Sequence, residues 1–362
     1  NFLYICEKFQ TMMSSKTLKP LYGNTLSELQ QICAAEGMPR FAAKQIAGWL
    51  YRRGVTEIDQ MSDLSKANRA KLAESYCIGL TAPVKVSTST DGTKKYLYRT
   101  SEGAAIESAY IPDGERATLC VSSQAGCRMG CRFCATARQG LQHSLSTNEI
   151  INQIISIPES ERLTNLVFMG MGEPLDNIDN VLRALQIITA SWGMAWSPTR
   201  VTLSTAGVAR ELERFLTESK VHLAVSLHNP FHDERKEIMP IEKVNHLNDV
   251  IALLKQYDWS HQRRVSFEYI CWGGVNDTPK HANELLRLLK GLDCRINLIR
   301  FHASPDPIAN TQSPIANSSS NEQQMEWLRD YLTAHGITTT IRRSRGEDIL
   351  AACGMLVNAL KK

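Results

Sequence analysis

Three cysteines lie close together in the segment Cys127-Arg-Met-Gly-Cys131-Arg-Phe-Cys134. They follow residues 118–122, whose apolar and β-branched side chains predict a strand. Gly126 and Gly130 allow the tight turns that such a loop needs to surround one inorganic centre. The sequence therefore predicts a set of thiolate ligands just beyond the end of a strand.

The identity of that centre depends on the number of ligands. A structural zinc site normally takes four, often from a second closely spaced cysteine pair. After Cys134 the next cysteine is Cys271, and His143 lies nine residues beyond Cys134. Three thiolates instead suit an iron–sulfur cube that keeps one iron open. The spacing favours the iron–sulfur cluster, with zinc and unligated core thiols as the alternatives.

Beyond residue 116, strand-like runs alternate with helical ones, which predicts βα units in a parallel sheet or barrel. Active-site residues are then expected on loops after the carboxyl ends of the strands. Ser146 and Glu149 have the spacing of a capping box and predict a helix start. Strands are predicted at 118–122, 165–169, 200–203, 221–227, 264–271, 295–300 and 338–342, and helices at 149–157, 181–189, 250–257, 284–292 and 325–335.

Three regions are expected. Residues 1–80 form a helical accessory domain, with helices at 25–36, 41–53 and 65–76, and its scattered basic residues are either solvated or face a nucleic acid. Residues 81–115 form a linking β region, with strands at 95–99 and 105–111. Residues 116–362 form the catalytic part, which includes a long Ser-, Asn- and Pro-rich loop at 303–322.

Composition excludes several classes of protein. Among 362 residues, 43% are hydrophobic and 22% are charged, as in ordinary globular proteins. No stretch is apolar enough to span a membrane, and residues 1–13 do not resemble a secretory signal. Ten cysteines in a reducing compartment are not expected to form a disulfide framework. The net charge, 41 − 37 = +4, permits a polyanionic partner without requiring one.

The cysteine segment resembles the radical S-adenosylmethionine (SAM) superfamily, in which C-x3-C-x2-C follows the first strand of a βα barrel. Further segments narrow the resemblance to the RlmN-type RNA adenosine C2-methyltransferases, whose Cfr-type relatives methylate C8. These segments are Ser122-Ser-Gln-Ala-Gly-Cys127, Phe133-Cys-Ala-Thr136, Phe168-Met-Gly-Met-Gly-Glu-Pro-Leu175, Leu203-Ser-Thr-Ala-Gly207, Ser226-Leu-His228, Gly274-Val-Asn-Asp277 and Ala351-Ala-Cys-Gly354. The match covers most of the chain. It implies an α/β fold, a radical-SAM partial (βα)6 barrel with a small N-terminal helical domain and a short linking β region.

The resemblance implies a [4Fe–4S] cluster held by Cys127, Cys131 and Cys134, with SAM on its open iron. Electron transfer from the cluster cleaves SAM to a radical in this family, and the protein positions the reactants. The residues implied to contact SAM are Gly172, Glu173, Ser204, Ser226, Leu227 and His228. Where the family commonly has a further asparagine, this chain has His302, whose imidazole can make a hydrogen bond of different shape.

The resemblance also implies two catalytic cysteines outside the cluster. Cys353, as a thiolate, would take a methyl group from one SAM, and a second SAM would supply the radical that activates this methyl for addition to the adenine. Cys120 would help resolve the covalent adduct, leaving a Cys120–Cys353 disulfide that must be reduced. Glu107 aligns with a carboxylate that accepts a proton, although its alternating strand alone would simply expose it.

The expected function is methylation of C2 of an adenosine in 23S (large-subunit) rRNA and of the adenosine 3′ of the anticodon in tRNA. We expect a cytoplasmic monomer with an electron donor such as flavodoxin and no membrane partner. The C8 reaction is the nearest alternative, and Glu173-Pro174 favours C2. A zinc-bearing RNA-binding protein and a radical SAM enzyme for a small molecule are the rivals. The remaining thiols, Cys6, Cys33, Cys77, Cys271 and Cys294, are expected to serve packing.

Overall fold

The N-terminal part of the described chain is helical. The computed structural model describes residues 18–259, 263–302, 319–352 and 354–356. The first elements are β1 (Lys19–Pro20), α1 (Leu26–Ala35), α2 (Ala42–Tyr51), α3 (Lys66–Ser75) and β2 (Tyr76–Cys77). β1 pairs with β2 in parallel, so the two ends of this region meet. The three helices predicted here are confirmed to within two residues at each end.

An antiparallel β segment follows the helices. Its strands are β3 (Lys85–Thr88), β4 (Lys94–Arg99), β5 (Ala105–Asp113) and β6 (Arg116–Cys120). The sequence did not predict β3, because most of its side chains are exposed and it carries no buried apolar alternation. β5 is buried over most of its length, since β4 and β6 flank it on both sides. This segment carries Glu107 and Cys120.

A parallel sheet begins at β6 and continues through six more strands. These strands are β9 (Asn165–Phe168), β10 (Val201–Thr205), β11 (His222–Ser226), β12 (Val265–Cys271), β13 (Cys294–Arg300) and β14 (Thr338–Arg342). β7 (Gln124–Ala125) and β8 (His143–Ser144) form a small antiparallel pair at the two ends of the cysteine loop. The main sheet has ten strands in the order β14-β13-β12-β11-β10-β9-β6-β5-β4-β3.

Helices connect the parallel strands. They are α4 (Ala135–Arg138), α5 (Thr147–Ile155), α6 (Ile178–Thr189), α7 (Ala209–Glu218), α8 (His232–Ile238), α9 (Leu247–Leu254), α10 (Pro279–Leu289) and α11 (Glu322–Ala334). Each parallel strand pairs with the next one along the chain, which gives six strand–helix units and a final strand. The expected α/β partial barrel is confirmed. The capping box at the start of α5 is also confirmed, since Ser146 and Glu149 bond reciprocally.

Two predictions about this half of the chain need correction. Helices α7 and α8 were not predicted, because α7 buries only Leu212, Phe215 and Leu216 and α8 is mostly charged. The loop predicted at 303–322 is too long at its C-terminal end, since α11 begins at Glu322 with an Asn321 cap. The rest of that loop, residues 303–318, lies outside the described residues.

The N-terminal helices pack against the barrel through specific polar contacts. The Asn148 amide at the start of α5 donates to the carbonyls of Tyr22 (3.3 Å) and Gly79 (3.0 Å). Arg183 on α6 forms an ion pair with Glu28 on α1. These contacts fix the helical region beside the first two strand–helix units. Within the described ranges, every helix is too short or too polar to cross a lipid bilayer.

Candidate active site

A cavity lies at the carboxyl ends of β9, β10 and β11 and under the cysteine loop. It encloses about 860 Å³ including its mouth, a size ordinary for a site that binds a small organic molecule. Most of the predicted cluster and SAM residues line it, namely Cys127, Cys131, Cys134, Gly172, Glu173, Ser204, Ser226 and His228. We call it the SAM cavity. Residues far apart in sequence meet here because parallel strands end at one edge of the sheet.

The cysteine loop offers three thiols to one end of the SAM cavity. Burial raises the pKa of Cys127 to about 12, and burial with the other two thiols nearby raises the pKa of Cys131. A cationic centre is therefore needed to keep these sulfurs as thiolates. All three cysteines line the same cavity, as ligands of one shared inorganic centre must.

Backbone and side-chain bonds fix the cysteine loop to its neighbours. Arg128, directly after Cys127, makes a bidentate ion pair with Asp176, with Nη2 to Oδ1 at 2.6 Å and Nε to Oδ2 at 2.8 Å. The Gln124 amide nitrogen also donates to Asp176 (2.9 Å), and its oxygen accepts from the Glu173 amide (2.9 Å). The loop of cysteines is thus tied to the loop that carries Glu173. Sequence reasoning missed these three partners, although Arg128 stands inside the cysteine motif.

Gly172 and Glu173 follow β9 at the wall of the SAM cavity. Gly172 has φ +96°, and a Cβ placed there would lie 2.5 Å from the Gln124 Cβ. Its lack of a side chain therefore serves packing against β7. The Glu173 carboxylate accepts hydrogen bonds from the amides of Ala206 (2.7 Å) and Leu175 (3.1 Å). Burial nevertheless raises its pKa to about 7, so a cation in the cavity would favour the ionised form.

His228 is held in one orientation at the end of β11. Its Nδ1 accepts a hydrogen bond from the Ile270 amide (3.1 Å), which leaves the proton on Nε2. Burial lowers its pKa to about 3, so the imidazole is neutral at ordinary pH. The ring packs edge-on against Phe133, which stands between two of the cysteines. Its φ of +55° is a strained value for a residue with a side chain, and such strain is concentrated at functional sites.

The serine and leucine predicted beside His228 have different positions. Ser226 lines the SAM cavity together with Ser204 of β10. Leu227 is fully buried, and its amide donates to the Glu268 carbonyl (3.0 Å) while its carbonyl accepts from Arg235 Nε (3.0 Å). Leu227 would therefore contact a ligand through its backbone, whose position the hydrogen bond from Arg235 helps to fix.

A second cavity adjoins the SAM cavity. It encloses about 1500 Å³ including open space, and Cys120, Thr118 and Ile111 form part of its wall. Met169, Ile299 and Arg342 line both cavities, so they form a shared wall. We call this second space the substrate cavity, after the role that is proposed for it below. Four arginines also line it, namely Arg116, Arg342, Arg343 and Arg345.

His302 lies in the substrate cavity and is not among the described residues that line the SAM cavity. Its Nε2 is 2.6 Å from the Ser344 hydroxyl, and its Nδ1 is 3.6 Å from a Glu347 carboxylate oxygen. The structure therefore does not bring His302 together with the other predicted SAM residues. Its contact with SAM stays a prediction.

Cys353 lies outside the described residues, but the residues on both sides of it are placed. Ala351 and Ala352 line the substrate cavity, and Ala351 packs in one apolar group with Cys120, Ala109 and Val167. Gly354 lines the SAM cavity. The described residues that flank Cys353 therefore lie beside Cys120 and in the walls of the two cavities.

Described residues on both sides of Cys353 make hydrogen bonds to other parts of the chain. Before Cys353, the Gly346 amide donates to Asp91 (2.9 Å) and Asp348 accepts from the Ser89 hydroxyl (2.6 Å), which fixes it to the β3–β4 turn. After Cys353, the Gly354 carbonyl accepts from the Ala135 amide (2.9 Å), at the residue next to Cys134. The described residues before Cys353 are thus held at the β3–β4 turn, and Gly354 after it is held at the cysteine loop.

Glu107 is buried, and the expectation that its strand would expose it is wrong. β5 lies between two strands, and the C-terminal segment approaches the face on which Glu107 stands. Its carboxylate pairs with Lys95 (3.1 Å), whose Nζ also lies 3.5 Å from the Leu350 carbonyl. Ala109, two residues further along the same face, is opposite Cys120 in the sheet register. Glu107 thus shares a face with Cys120 but is not among the described residues lining either cavity.

The cysteines predicted to serve packing follow that expectation where they are described. Cys33, Cys271 and Cys294 are buried among apolar side chains, and Cys77 is half-buried. Cys6 lies outside the described residues. The basic residues of the helical region are partly used inside the protein, since Arg69 donates to the Leu64 carbonyl (2.6 Å) and Arg53 stacks over Trp49.

Comparison with known proteins agrees with this geometry. Residues 121–289 match the model of the radical SAM superfamily, and residues 19–78 match the model of the ribosomal RNA large subunit methyltransferase N-terminal domain. A protein of Bacteroides fragilis named probable dual-specificity RNA methyltransferase RlmN is 55% identical over 94% of this chain and 96% of its own length. The dual-specificity RNA methyltransferase RlmN of Syntrophus aciditrophicus is 40% identical over 92% and 94%.

A solved structure has the same overall fold. The crystal structure of a radical SAM methyltransferase from Sphaerobacter thermophilus superposes with a TM-score of 0.84 at 38% identity, covering 93% of this chain and 98% of the other. Identity at this level over nearly full length extends beyond the barrel to the helical N-terminal region. The chain therefore belongs to the radical SAM superfamily and, within it, to the RlmN family of RNA methyltransferases.

Proposed function

We propose that this enzyme methylates C2 of an adenosine in 23S rRNA and of the adenosine 3′ of the anticodon in tRNA. The observation that carries the proposal is the shared wall of Met169, Ile299 and Arg342 between two cavities. One cavity has the three cysteines and Glu173, and the other has Cys120 and the neighbours of Cys353. This arrangement supports a reaction in which a group activated in one cavity acts on a base held in the other.

Family membership brings a [4Fe–4S] cluster and SAM. Cys127, Cys131 and Cys134 would hold the cluster, and Glu173, Ser204, Ser226 and His228 would surround SAM. When bound, the two together supply one-electron reductive chemistry and a methyl group. The Glu173 carboxylate would pair with the ammonium of SAM, and the neutral His228 would offer an Nε2–H donor. Gly172 would keep the strand end close to Gln124.

The two other cysteines would carry the methyl group through the reaction. Cys353, as thiolate, would take the methyl of one SAM and present it as a thioether at the boundary of the cavities. A radical derived from a second SAM would remove one hydrogen atom from this methyl, and the methylene would bond to C2 of the adenine, which would give one electron back to the cluster and lose its C2 hydrogen as a proton. The Cys120 thiolate would then attack the Cys353 sulfur and break its bond to the methylene carbon, whose electron pair would take up a proton to complete the methyl group. An external reductant would supply the two electrons that reduce the resulting Cys120–Cys353 disulfide. The proximity of Ala351 to Cys120 supports this pairing. Glu107, held by Lys95 on the same face, would accept a proton.

The arginines of the substrate cavity support an RNA substrate. Arg343 is exposed and Arg345 is half-buried beside Asp113, so both reach the rim of the cavity. Guanidinium groups bind phosphate oxygens in bidentate fashion, and an adenine in a folded RNA must leave its stack to reach Cys120. We propose that the helical region, residues 1–80, binds the same RNA as an accessory domain, followed by a linking region at 81–115 and a catalytic part at 116–362. The enzyme would act in the cytoplasm as a monomer with a flavodoxin-like donor.

The test is anaerobic turnover of the cluster-containing protein with SAM and an rRNA fragment, followed by mass analysis of the digested nucleosides. We expect 2-methyladenosine. Formation of 8-methyladenosine would instead show that the enzyme carries out the Cfr-type reaction. Iron and sulfide analysis of the same preparation distinguishes these two radical reactions from a zinc protein, since zinc without iron would exclude radical chemistry.

A further inference from the structure

Two histidines and a glutamate meet on the face of the barrel beside α8, outside the cavities described above. His232 begins α8, Glu242 lies in the turn after it, and His246 precedes α9. One nitrogen or oxygen from each residue lies within 4.8 Å of the other two, and this is the only such group of three among the described residues. We propose that His232, Glu242 and His246 bind a divalent transition-metal cation such as Zn²⁺ or Ni²⁺.

The distances between the ligand atoms suit one ion. His232 Nδ1 lies 2.9 Å from Glu242 Oε1, and His246 Nδ1 lies 3.8 Å from the same oxygen. Ligands held at about 2.1 Å from a tetrahedral ion are separated by about 3.4 Å, which falls between these two values. Small rotations of the two imidazoles would therefore complete the site. The two rings already lie side by side, with centroids 4.9 Å apart.

The carboxylate is held in place before any ion binds. Glu242 is 2% exposed, and its Oε2 forms an ion pair with the buried Arg235. The Leu247 amide also donates to Oε1 (3.2 Å) and Oε2 (3.1 Å). These contacts fix Oε1 in the direction of the histidines. The two imidazoles are about half exposed, so an ion can enter from solvent and keep water ligands.

The charge at this site selects the kind of cation. Arg235 balances the charge of Glu242, so a hard cation such as Mg²⁺ gains little electrostatic attraction here. Two imidazole nitrogens instead favour Zn²⁺, Ni²⁺ or Co²⁺ over Mg²⁺ and Ca²⁺. The ion would join α8 to the start of α9. Arg235 also donates to the carbonyls of Ala206 (3.0 Å) and Ser226 (2.8 Å), so the site is one residue away from the SAM cavity wall.

The test is an anaerobic calorimetric titration of Ni²⁺ into the full chain with its cluster bound. His246→Gln removes one ligand and leaves the His232–Glu242 hydrogen bond. His335→Gln is the matched control, since His335 is an exposed histidine at the end of α11 that packs against Tyr331. We expect one equivalent of Ni²⁺ in the wild type and in His335→Gln, and at least tenfold weaker binding in His246→Gln.

Three results would overturn the proposal: no Ni²⁺ equivalent in the wild type, unchanged affinity in His246→Gln, or equal affinity for Mg²⁺. If Ni²⁺ instead binds to Cys120 and Cys353, its affinity will be unchanged in His246→Gln, and that result contradicts the proposal. If His246→Gln does not fold, His232→Gln provides the same comparison. The readout is metal binding, so it does not depend on the RNA substrate.

Discussion

The Asp348 carboxylate accepts a hydrogen bond from the Ser89 hydroxyl at 2.6 Å, across 259 residues of sequence. The Thr90 amide donates to its other oxygen at 3.2 Å. This pair joins the segment before Cys353 to the β3–β4 turn. We predict that Asp348→Ala lowers the rate of RNA methylation by about tenfold to a hundredfold, because a displaced reactive group loses its alignment.

The same variant should retain its iron content and its affinity for SAM, since Asp348 touches neither the cysteine loop nor the SAM cavity. Asp330→Ala is the control, because Asp330 is an exposed aspartate that pairs only locally with Arg329. Single-turnover methylation and SAM binding, measured on both variants, distinguish a role in positioning Cys353 from a role in binding SAM. Equal loss in the two variants would contradict the positioning role.

Substitutions of the two cysteines proposed as catalytic should block different steps. Cys353→Ala should abolish methylation, because no thiolate remains to take the methyl group. Cys120→Ala should still load the methyl but leave the protein attached to RNA, because the adduct is not resolved. A denaturing gel with labelled RNA detects the crosslink. Cys77→Ser, at a half-buried thiol in the helical region, should behave as wild type; methylation by Cys353→Ala would refute the mechanism.

Glu173→Gln should weaken SAM binding. The buried carboxylate loses its charge in this variant, and a charged hydrogen bond contributes about 1.5–3 kcal/mol, or roughly a tenfold to hundredfold change in affinity. Equilibrium dialysis with the cluster-containing protein measures it, and iron analysis checks that the cluster is intact. Unchanged affinity for SAM in a variant with its full iron content would show that Glu173 does not contribute to SAM binding.

Gly172→Ala should destabilise the protein more than Gly291→Ala. Both glycines have positive φ, +96° and +81°, so both substitutions carry backbone strain of about 1–3 kcal/mol. Only Gly172 adds a collision with Gln124, since a Cβ on Gly291 meets nothing within 4 Å. The difference between their thermal unfolding midpoints isolates the contact. Equal midpoints would show that the β9 loop moves freely away from β7.

Acid should destabilise the fold through His222. Burial lowers its pKa to about 4, and its Nδ1 accepts from the Arg264 amide at 2.9 Å. The unfolded chain binds a proton near pH 6.5 and the folded one does not, so stability is complete above pH 6.5 and falls as pH drops towards 4. At pH 5 the loss is on the order of 2 kcal/mol. Urea unfolding of His222→Asn at pH 7.5 and 5 should show a smaller decrease than the wild type, and His335→Asn should match the wild type.

Local patterns allowed much of this site to be predicted. The three cysteines are eight residues end to end, and the strands before Gly172, Ser204 and Ser226 have clear apolar runs, so the shared edge of the sheet follows from topology. The burial of Glu107 did not follow, because it depends on a C-terminal segment that contacts β4 through Leu350. Arg128 and Asp176 were missed because they are 48 residues apart in sequence. Arg235 was missed because its role depends on side-chain contacts with Glu242 and Ala206 that only the folded chain shows.

His302 shows the limit of reasoning by position. It follows β13 at the place where the resemblance implies an asparagine, and its ring lies against Ser344, after β14. The direction of a side chain at a strand end depends on the next loop, and a single sequence contains no information on that geometry. The position of a residue in a motif therefore does not by itself determine which cavity its side chain lines.

Arg342 lines the SAM cavity, the substrate cavity and a third, more open one beside Arg300 and Glu322. Its guanidinium lies 3.3 Å from a Glu268 oxygen and 3.3 Å from the Met169 sulfur, both on the shared wall or next to it. With SAM in one cavity and RNA in the other, as proposed above, both ligands would contact Arg342 and their affinities would be coupled. Whatever factor SAM imposes on the affinity for RNA, RNA must impose on the affinity for SAM. The order in which the two ligands bind is then a matter of concentration and rate, and the free energy of the ternary complex is the same by either route.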